Sequence, residues 1–355
     1  MGVSFPPAPH DTVADGDFSF GWFRGPFERV NFLDIRRFWR RGTPGWIKTW
    51  RLKEWRAFLM GDARWSVMTA LFNAKLFTIA YFHAWDRQEG RSVGFTRILP
   101  GNIVAIGERL SLSHNAYHGQ HARIDFDFNL AIGTIAIVVN WKPGKGQPGF
   151  HGAFTLPFNV SKACPASVVM PLGGKRAMYS TKIVLPMEGS LDLAGTLYRF
   201  DPRTASALVI DHKGFYPFGF HYDWIGAVGI DAAGRRVGFS LAASTNREAG
   251  APVHAAGSSN ENCVWIGERV WTLPSVRITR AAGYQGDWVI QDTEGLVDLV
   301  FTPKDHSDIS FHLGIIESDW HGPFGAFKGT VKNGEGETIE AEKLVAMGED
   351  MYLRA

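Results

Sequence analysis

The residues best suited to chemistry lie between Ala205 and Ser240, where titratable and aromatic side chains alternate. Asp211 precedes a glycine turn, and His221 and Asp223 form a His-x-Asp pair on the next predicted strand. A hairpin between these strands would bring two carboxyl groups and an imidazole together. Burial raises the pKa of a carboxyl group, so such a group can act as a general acid near neutral pH. The sequence therefore predicts an acid–base site of Asp211, His221 and Asp223, with Asp211 as the acid.

Aromatic residues occupy the other face of the same predicted strand. Because strand side chains alternate, Tyr222 and Trp224 point to the side opposite His221 and Asp223. Without a bulge, only one of these faces can line a cavity. We favour the aromatic face and predict Tyr222 and Trp224 as ligand contacts, with Asp211 at the mouth of a barrel. The alternative is that the polar residues are solvent-facing strand positions.

Two more polar groups accompany predicted strands in the C-terminal third. Asn260 and Asn262 flank Glu261 just ahead of a strand, and Glu317 and His321 lie on a later one. Amides, carboxylates and imidazoles orient ligands in otherwise apolar pockets. We therefore predict Asn260, Asn262, Glu317 and His321 as further ligand contacts.

Several common sites are absent from the sequence. Residues 144–149 match the glycine spacing of a dinucleotide-binding loop, but prolines interrupt them and no helix follows to bind a phosphate. The three histidines in residues 114–121 lie among Asn and Gly, which favours a polar loop over a metal centre. The two cysteines have no metal-site spacing. We predict neither a metal nor a cofactor.

Composition and alternation indicate an all-β fold. The 355 residues include 13 Trp, 26 Phe and 40 Gly, which favour strands separated by turns. Apolar residues alternate with acids in 122–130, and further strands are predicted at Ile103–Leu112 and throughout the C-terminal half. The central 205–240 stretch reads as three strands joined by two turns. Short strands with few helical periods predict antiparallel barrels or sandwiches.

The N-terminal arm differs from the rest of the chain. Between Arg24 and Arg56, ten basic residues face three acids, interleaved with tryptophans. This pattern suits an anionic membrane surface, or cation–π packing of the arm onto its own barrel. We favour the second, because the spacing has no amphipathic period. A net charge of +2 argues against nucleic acid, and without a signal or an 18-residue apolar run we expect a cytoplasmic protein.

Eight motifs carry a family resemblance between about Phe20 and Arg354. They are FGWFRGPF, LKEW, MYSTKIVLPMEG, IDHKGFYPFGFHYDW, NEN, VDLVFTP, FGAFKGT and GED. Together they resemble a bacterial family of uncharacterised proteins with the domain of unknown function 2804. That family is similar to carotenoid hydratases and tocopherol cyclases, which have two lipocalin-like barrels and act on isoprenoid lipids without a cofactor.

This resemblance implies a domain plan and a class of function. We expect an arm at residues 1–45 and two sequential lipocalin-like antiparallel barrels at 46–180 and 181–355. The first functional hypothesis is a protein that binds an apolar, lipid- or isoprenoid-like small molecule in a barrel cavity, or converts it without a cofactor. The second is a non-catalytic protein that docks on a membrane or partner through its basic, Trp-rich arm.

Overall fold

The fold is described by a computed structural model over residues 5–36, 38, 42–144, 146, 148–159, 162–173, 176–246, 251–252 and 260–355. Within these residues the chain forms antiparallel β-strands, one short α-helix and two single-turn 3-10 helices. The all-β class predicted from the alternation is therefore confirmed.

The N-terminal segment forms short strands and a helix on one end of the molecule. Its elements are β1 (Val13–Ala14), β2 (Asp17–Phe18), β3 (Gly21–Arg24), a 3-10 turn (Phe32–Asp34) and α1 (Gly45–Arg51). Apolar side chains of this segment, such as Phe27 and Phe32, pack against Tyr179 and Phe215 of later elements. The segment is thus attached to the body of the protein by its own small core.

The first half of the body consists of two sheets. Its strands are β4 (Lys53–Gly61), β5 (Trp65–Asn73), β6 (Phe77–Asp86), β7 (Arg91–Pro100), β8 (Leu112–His118), β9 (Ala122–Asn129), β10 (Thr134–Trp141), β11 (Phe150–Pro157), β12 (Ala166–Pro171), β13 (Ala177–Pro186), β14 (Glu188–Leu193), β15 (Thr196–Phe200) and β16 (Ser206–Gly214). A 3-10 turn, Leu130–Ile132, joins β9 to β10. An eight-stranded sheet has the order β3-β12-β13-β16-β4-β5-β6-β7, and a six-stranded sheet the order β15-β14-β11-β10-β9-β8. Their facing sides enclose the first core, which includes Phe58, Phe126 and Ile137.

The second half forms one large sheet. Its strands are β17 (Phe220–Ile230), β18 (Arg236–Asn246), β19 (Ala251–Pro252), β20 (Cys263–Ile266), β21 (Arg269–Thr272), β22 (Arg277–Thr279), β23 (Trp288–Gln291), β24 (Val297–Asp305), β25 (Asp308–Leu313), β26 (Ile316–His321), β27 (Phe324–Lys332), β28 (Thr338–Glu340) and β29 (Val345–Arg354). The sheet has 13 strands and encloses its own core, which includes Phe239, Trp288 and Phe327.

A further core joins the two halves. The face of β4, β5, β6 and β16 that points away from the first core packs against β17 and β29 of the thirteen-stranded sheet. Leu59, Leu208, Trp224 and Met347 are among its buried members. Strand alternation explains the arrangement, since successive residues of one strand serve different cores.

The central stretch differs from its prediction in one important way. Its three strands exist as β16, β17 and β18, but β16 belongs to the eight-stranded sheet and β17 to the thirteen-stranded one. The expected hairpin between them is therefore wrong. Residues 215–219 instead pass from one sheet to the other, with Phe215 and Tyr216 buried and Gly219 at a positive φ of 76°.

The strand predicted at Ile103–Leu112 was wrong in position. Residues 103–111 form irregular structure rather than a strand, and the strand begins at Leu112 and includes two histidines of the predicted polar loop. Val104, Ile106 and Leu110 are buried nonetheless. Their spacing imitates a strand because each side chain reaches the first core from an irregular segment.

The division into two barrels stays a prediction. Residue 180 lies inside β13, which pairs on both sides with strands of the eight-stranded sheet, β12 and β16. The predicted arm includes β3, which pairs with β12 in the same sheet.

Candidate functional site

A cavity of about 110 Å³ lies between the two halves of the body rather than inside one barrel, where the sequence located it. We call it the inter-sheet cavity. The eight-stranded sheet contributes Trp55, Ala57, Met68, Ala70, Phe72, Ile79, Tyr81, Met178, Ile210 and His212. The remaining lining residues are Tyr216, Phe220, Tyr222, Trp224, Ser244, Glu261, Ile309, Ser318, Trp320, Glu349, Met351 and Leu353.

Strand alternation decides which side chains reach this cavity. On β16, Ile210 and His212 face it, so Asp211 between them faces the first core. On β29, Glu349 faces it and Asp350 does not. The cavity therefore receives every second residue of these strands.

An ionic cluster forms part of the wall. The Lys182 ammonium lies 2.5 Å from a carboxylate oxygen of Glu261, and Nε2 of His212 lies 3.2 Å from the same oxygen. All three residues are buried. Burial alone would raise the pKa of Glu261, but Lys182 and His212 outweigh it and hold that pKa well below its ordinary value. Glu261 is thus an anion in the cavity wall.

His212 is neutral beside this anion. Burial lowers the pKa of His212 and outweighs the opposing attraction of Glu261. A neutral imidazole has one N–H, and the carboxylate of Glu261 accepts it from Nε2. The ring also stacks on Trp55, with centroids 4.5 Å apart. Its tautomer and orientation are therefore both set by neighbours.

Glu349 is a second carboxyl group in the wall, in a different environment. Burial raises its pKa to about 7, against the opposing effect of hydrogen bonds from Tyr222 and Trp320. The Tyr222 hydroxyl donates to a Glu349 oxygen at 3.1 Å. Glu349 is thus half protonated near neutral pH, whereas Glu261 stays ionised.

The two predicted aromatic contacts line the cavity, together with Phe220 from the same strand. Tyr222 and Trp224 therefore face a cavity, as predicted, although it lies between the two halves and not inside a barrel. The Trp224 indole N–H donates to Ser240 Oγ at 2.9 Å.

Asp211 lies elsewhere. It is fully buried on the face of β16 that points away from the cavity, with Arg56 Nε 2.8 Å and the Tyr179 hydroxyl 3.1 Å from its oxygens. Its predicted position at a barrel mouth is wrong, because Asp211 is fully buried and β16 does not form a hairpin with β17. The role of general acid has no support in this geometry.

His221 and Asp223 lie together, but with other partners. They are on the face of β17 that belongs to the core of the thirteen-stranded sheet, close to Asp350 and Arg280. His221 Nε2 is 2.9 Å from Asp350, and Arg280 lies 2.8 and 2.7 Å from Asp223 and Asp350. The histidine and the two carboxylates lie close enough to ligate a metal ion. Arg280 already supplies the positive charge, so the cluster is an ion-pair network.

Asn260 and Asn262 hold the chain rather than line the cavity. The Asn260 side chain accepts the backbone N–H of Asn262 at 2.8 Å. The Asn262 side chain accepts from Ala242 N at 2.7 Å and donates to Pro274 O at 2.9 Å. The residue between them, Glu261, is the one that lines the cavity. The sequence located the right segment, and the asparagines fix its backbone.

Glu317 and His321 lie on the face of β26 that points away from the inter-sheet cavity. Ser318 and Trp320 of that strand line the cavity. Glu317 instead pairs with Arg354 at 3.1 Å, and His321 stacks on Tyr284 with ring centroids 3.6 Å apart.

Two basic residues of the Arg24–Arg56 stretch make internal contacts. Arg51 donates to the carbonyl oxygens of Ala355 and Tyr216, both at 2.7 Å, and Lys48 donates to Leu33 O at 2.6 Å. Trp46 is nevertheless 69% exposed. Peripheral membrane contact through the arm stays a prediction. The described part of the chain has no helix with the length and apolar character needed to cross a bilayer.

The sequence argument missed His212, Glu261 and Glu349 as cavity residues. All three lie in motifs that it had singled out, and His212 and Glu261 are next to residues that were chosen instead. Glu349 reaches the cavity because β29 pairs with β17, where Glu349 lies opposite Trp224. That pairing joins residues 125 positions apart and cannot be deduced from local alternation.

Comparisons with known proteins identify a family and a distant structural likeness. The family model described as domain of unknown function DUF2804 matches residues 10–354. No curated protein matches the chain. Kievitone hydratase from Nectria haematococca is similar in structure, with 9% identity, a TM-score of 0.46, and coverage of 85% of this chain and 89% of that one. A candidate AttH from Nitrosomonas europaea has 12% identity, a TM-score of 0.44, and coverage of 86% and 93%.

Proposed function

We propose that this chain, which belongs to the family of the domain of unknown function DUF2804 as its motifs predicted, binds an apolar small molecule in the inter-sheet cavity. The observation that carries the proposal is the composition of the cavity wall. Aliphatic and aromatic side chains form most of it, with a few buried polar groups among them. Pockets of this composition are the usual sites of small-molecule binding.

The size of the cavity limits what fits without rearrangement. Its volume of about 110 Å³ is below the roughly 150 Å³ of an engineered apolar cavity that binds benzene. One ring or a short branched chain therefore fills it. Removing apolar surface from water supplies roughly 25 cal/mol per Å² buried, which is a sufficient driving force for such a ligand.

The two carboxyl groups of the wall support conversion of the ligand without a cofactor. Because their environments separate their pKa values, Glu349 can donate a proton while Glu261, with His212, can accept one. In this proposal Glu349 takes the role of general acid that the sequence assigned to Asp211. Trp224 and Trp320 line the same cavity and can stabilise positive charge that develops on the ligand.

Native mass spectrometry of the protein purified from its own host tests the proposal. We expect a mass excess of one small organic molecule, released by solvent extraction. Ala70→Leu should abolish this excess, because it adds three carbon atoms to the cavity wall. Ala153→Leu is the matched control, since Ala153 is a similarly half-buried strand alanine outside the cavity.

The same measurement distinguishes binding from conversion. Glu349→Gln should retain the unconverted form, which is an isomer of the wild-type molecule when one proton is added and another removed, and chromatography of the extracts separates the two. A ligand that survives Ala70→Leu unchanged, or a wild-type protein that carries no small molecule and takes up none, contradicts the proposal.

A further inference from the structure

Four polar atoms in the wall of the inter-sheet cavity lack a hydrogen-bond partner within the described residues: Nδ1 of His212 and the hydroxyl oxygens of Tyr81, Tyr216 and Ser318. All four residues are buried, so bulk water does not replace the missing partners. Buried polar groups in folded proteins are nearly always paired, because an unpaired one loses its hydration without compensation. An unpaired polar atom in a cavity wall therefore indicates a partner on the ligand.

Two of these four atoms belong to side chains that share a neighbour, His212 and Tyr216. Both rings stack on Trp55, with centroid distances of 4.5 Å for His212 and 5.7 Å for Tyr216. The Tyr216 ring also covers Gly214, which is the next residue on the His212 face of β16. We call His212 and Tyr216 the polar end.

The polar end offers one acceptor and one donor. Since Nε2 of His212 gives its hydrogen to Glu261, Nδ1 carries a lone pair and can only accept. Burial, reinforced by the charge of Glu261, raises the pKa of Tyr216 well above its ordinary value, so its hydroxyl stays protonated and can donate.

Resting on the proposed function, we propose that the ligand is an apolar alcohol. Its hydroxyl donates to Nδ1 of His212 and accepts the O–H of Tyr216, while its carbon skeleton fills the apolar part of the cavity. A carbonyl or ether would satisfy Tyr216 and leave Nδ1 bare. A carboxylate would set a negative charge against that lone pair and beside Glu261.

Four probes of similar length, small enough for the cavity, separate these possibilities: butan-1-ol, its isomer 1-methoxypropane, butanal and butanoate. Their affinities for the full-length protein, stripped of bound small molecules, are measured by titration calorimetry. We expect butan-1-ol to bind about tenfold more tightly than the ether, since a typical net hydrogen bond contributes about that factor.

Two variants assign this preference to the polar end. Tyr216→Phe should lower the affinity for the alcohol and for the ether alike by about tenfold, because both accept a hydrogen bond from Tyr216. His212→Phe keeps the stacking on Trp55 but removes the acceptor, so the preference for the alcohol should disappear. Tyr117→Phe, in the first core, is the matched control and should change neither affinity.

Each outcome bears on the proposal. An ether, aldehyde or butanoate that binds as tightly as the alcohol overturns the alcohol assignment but leaves a protein that binds apolar molecules. Failure of all four probes to bind overturns the proposed function as well. If His212→Phe does not fold, Tyr216→Phe still tests whether the Tyr216 hydroxyl donates to the ligand. Equal loss of alcohol and ether affinity supports this role of Tyr216, and no loss contradicts it.

Discussion

Two buried polar clusters lie on opposite faces of the same strand, and they differ in completeness. The Arg56 cluster, consisting of Arg56, Asp211 and Tyr179, faces the first core. The polar end, His212 and Tyr216, faces the inter-sheet cavity beside Glu261. Both clusters are at least nine-tenths buried.

In the Arg56 cluster every donor of the guanidinium is used. Nε donates to Asp211, Nη1 to Ser113 and Asn115, and Nη2 to the carbonyl oxygens of Gly107 and Arg109. Asp211 also accepts from Tyr179. Such a closed network stabilises the fold and has no capacity left for a ligand.

The polar end is open by contrast, with one acceptor and one donor lacking a partner within the described residues. The comparison teaches that burial and charge alone do not identify a binding site. Asp211 and His212 are adjacent in sequence and both buried. Only the cluster that contains His212 has unpaired polar atoms, so only this cluster can gain hydrogen bonds from a ligand and thereby select it.

The largest expected effect comes from opening the closed cluster. Asp211→Asn leaves the Arg56 guanidinium buried without its counter-charge, which should cost about 3–5 kcal/mol in the free energy of unfolding, measured by chemical denaturation. Glu89→Gln, which removes one partner of an exposed ion pair with Arg64, is the control and should change little. A stable Asp211→Asn protein that has lost only turnover would instead restore Asp211 as the general acid.

A smaller effect is the pH dependence of the free energy of unfolding that Glu349 causes. Its pKa is raised to about 7 in the folded protein, above its value in the unfolded chain. The folded state therefore binds this proton more tightly, and the resulting stability is complete below the unfolded pKa and is lost as pH rises through about 7.

The measurement is the free energy of unfolding of the wild type relative to Glu349→Gln. From pH 4 to pH 8 the wild type should lose on the order of 2–3 kcal/mol relative to the variant, because one pKa unit corresponds to about 1.4 kcal/mol. The other titratable groups contribute equally to the free energy of unfolding of both proteins, so their contributions cancel in the difference. A difference that stays constant over this range would show that Glu349 is not held protonated by burial.

Much of the fold could be predicted from local pattern. The alternation of apolar and acidic residues in β9 located that strand to within one residue, since one of its faces is packed and the other polar. The family motifs likewise identified the family correctly. Both are properties of short segments, which a sequence displays directly.

The site could be predicted only in part, because it is made by pairings between distant segments. Tyr222 and Trp224 were found from the aromatic face of β17 alone. The prediction of Asp211 assumed a hairpin between its strand and that of His221, but residues 215–219 pass to another sheet, and His212 rather than Asp211 faces the cavity. Glu261 reaches the cavity only through the fold of the whole chain.

The smallest effects test the central claim most directly. Tyr179 and Tyr216 are both buried tyrosines, but the first donates to Asp211 and the second has no partner within the described residues. Chemical denaturation of Tyr179→Phe and Tyr216→Phe, each with and without butan-1-ol, compares the closed and open clusters. Without the alcohol, Tyr179→Phe should lose about 1–3 kcal/mol, whereas Tyr216→Phe should be at least as stable as the wild type.

With butan-1-ol present, the wild type and Tyr179→Phe should gain stability, and Tyr216→Phe should gain less. This result would show that the Tyr216 hydroxyl serves a ligand and not the fold. Equal losses in the two variants without the alcohol, and no difference between them with it, would contradict the account.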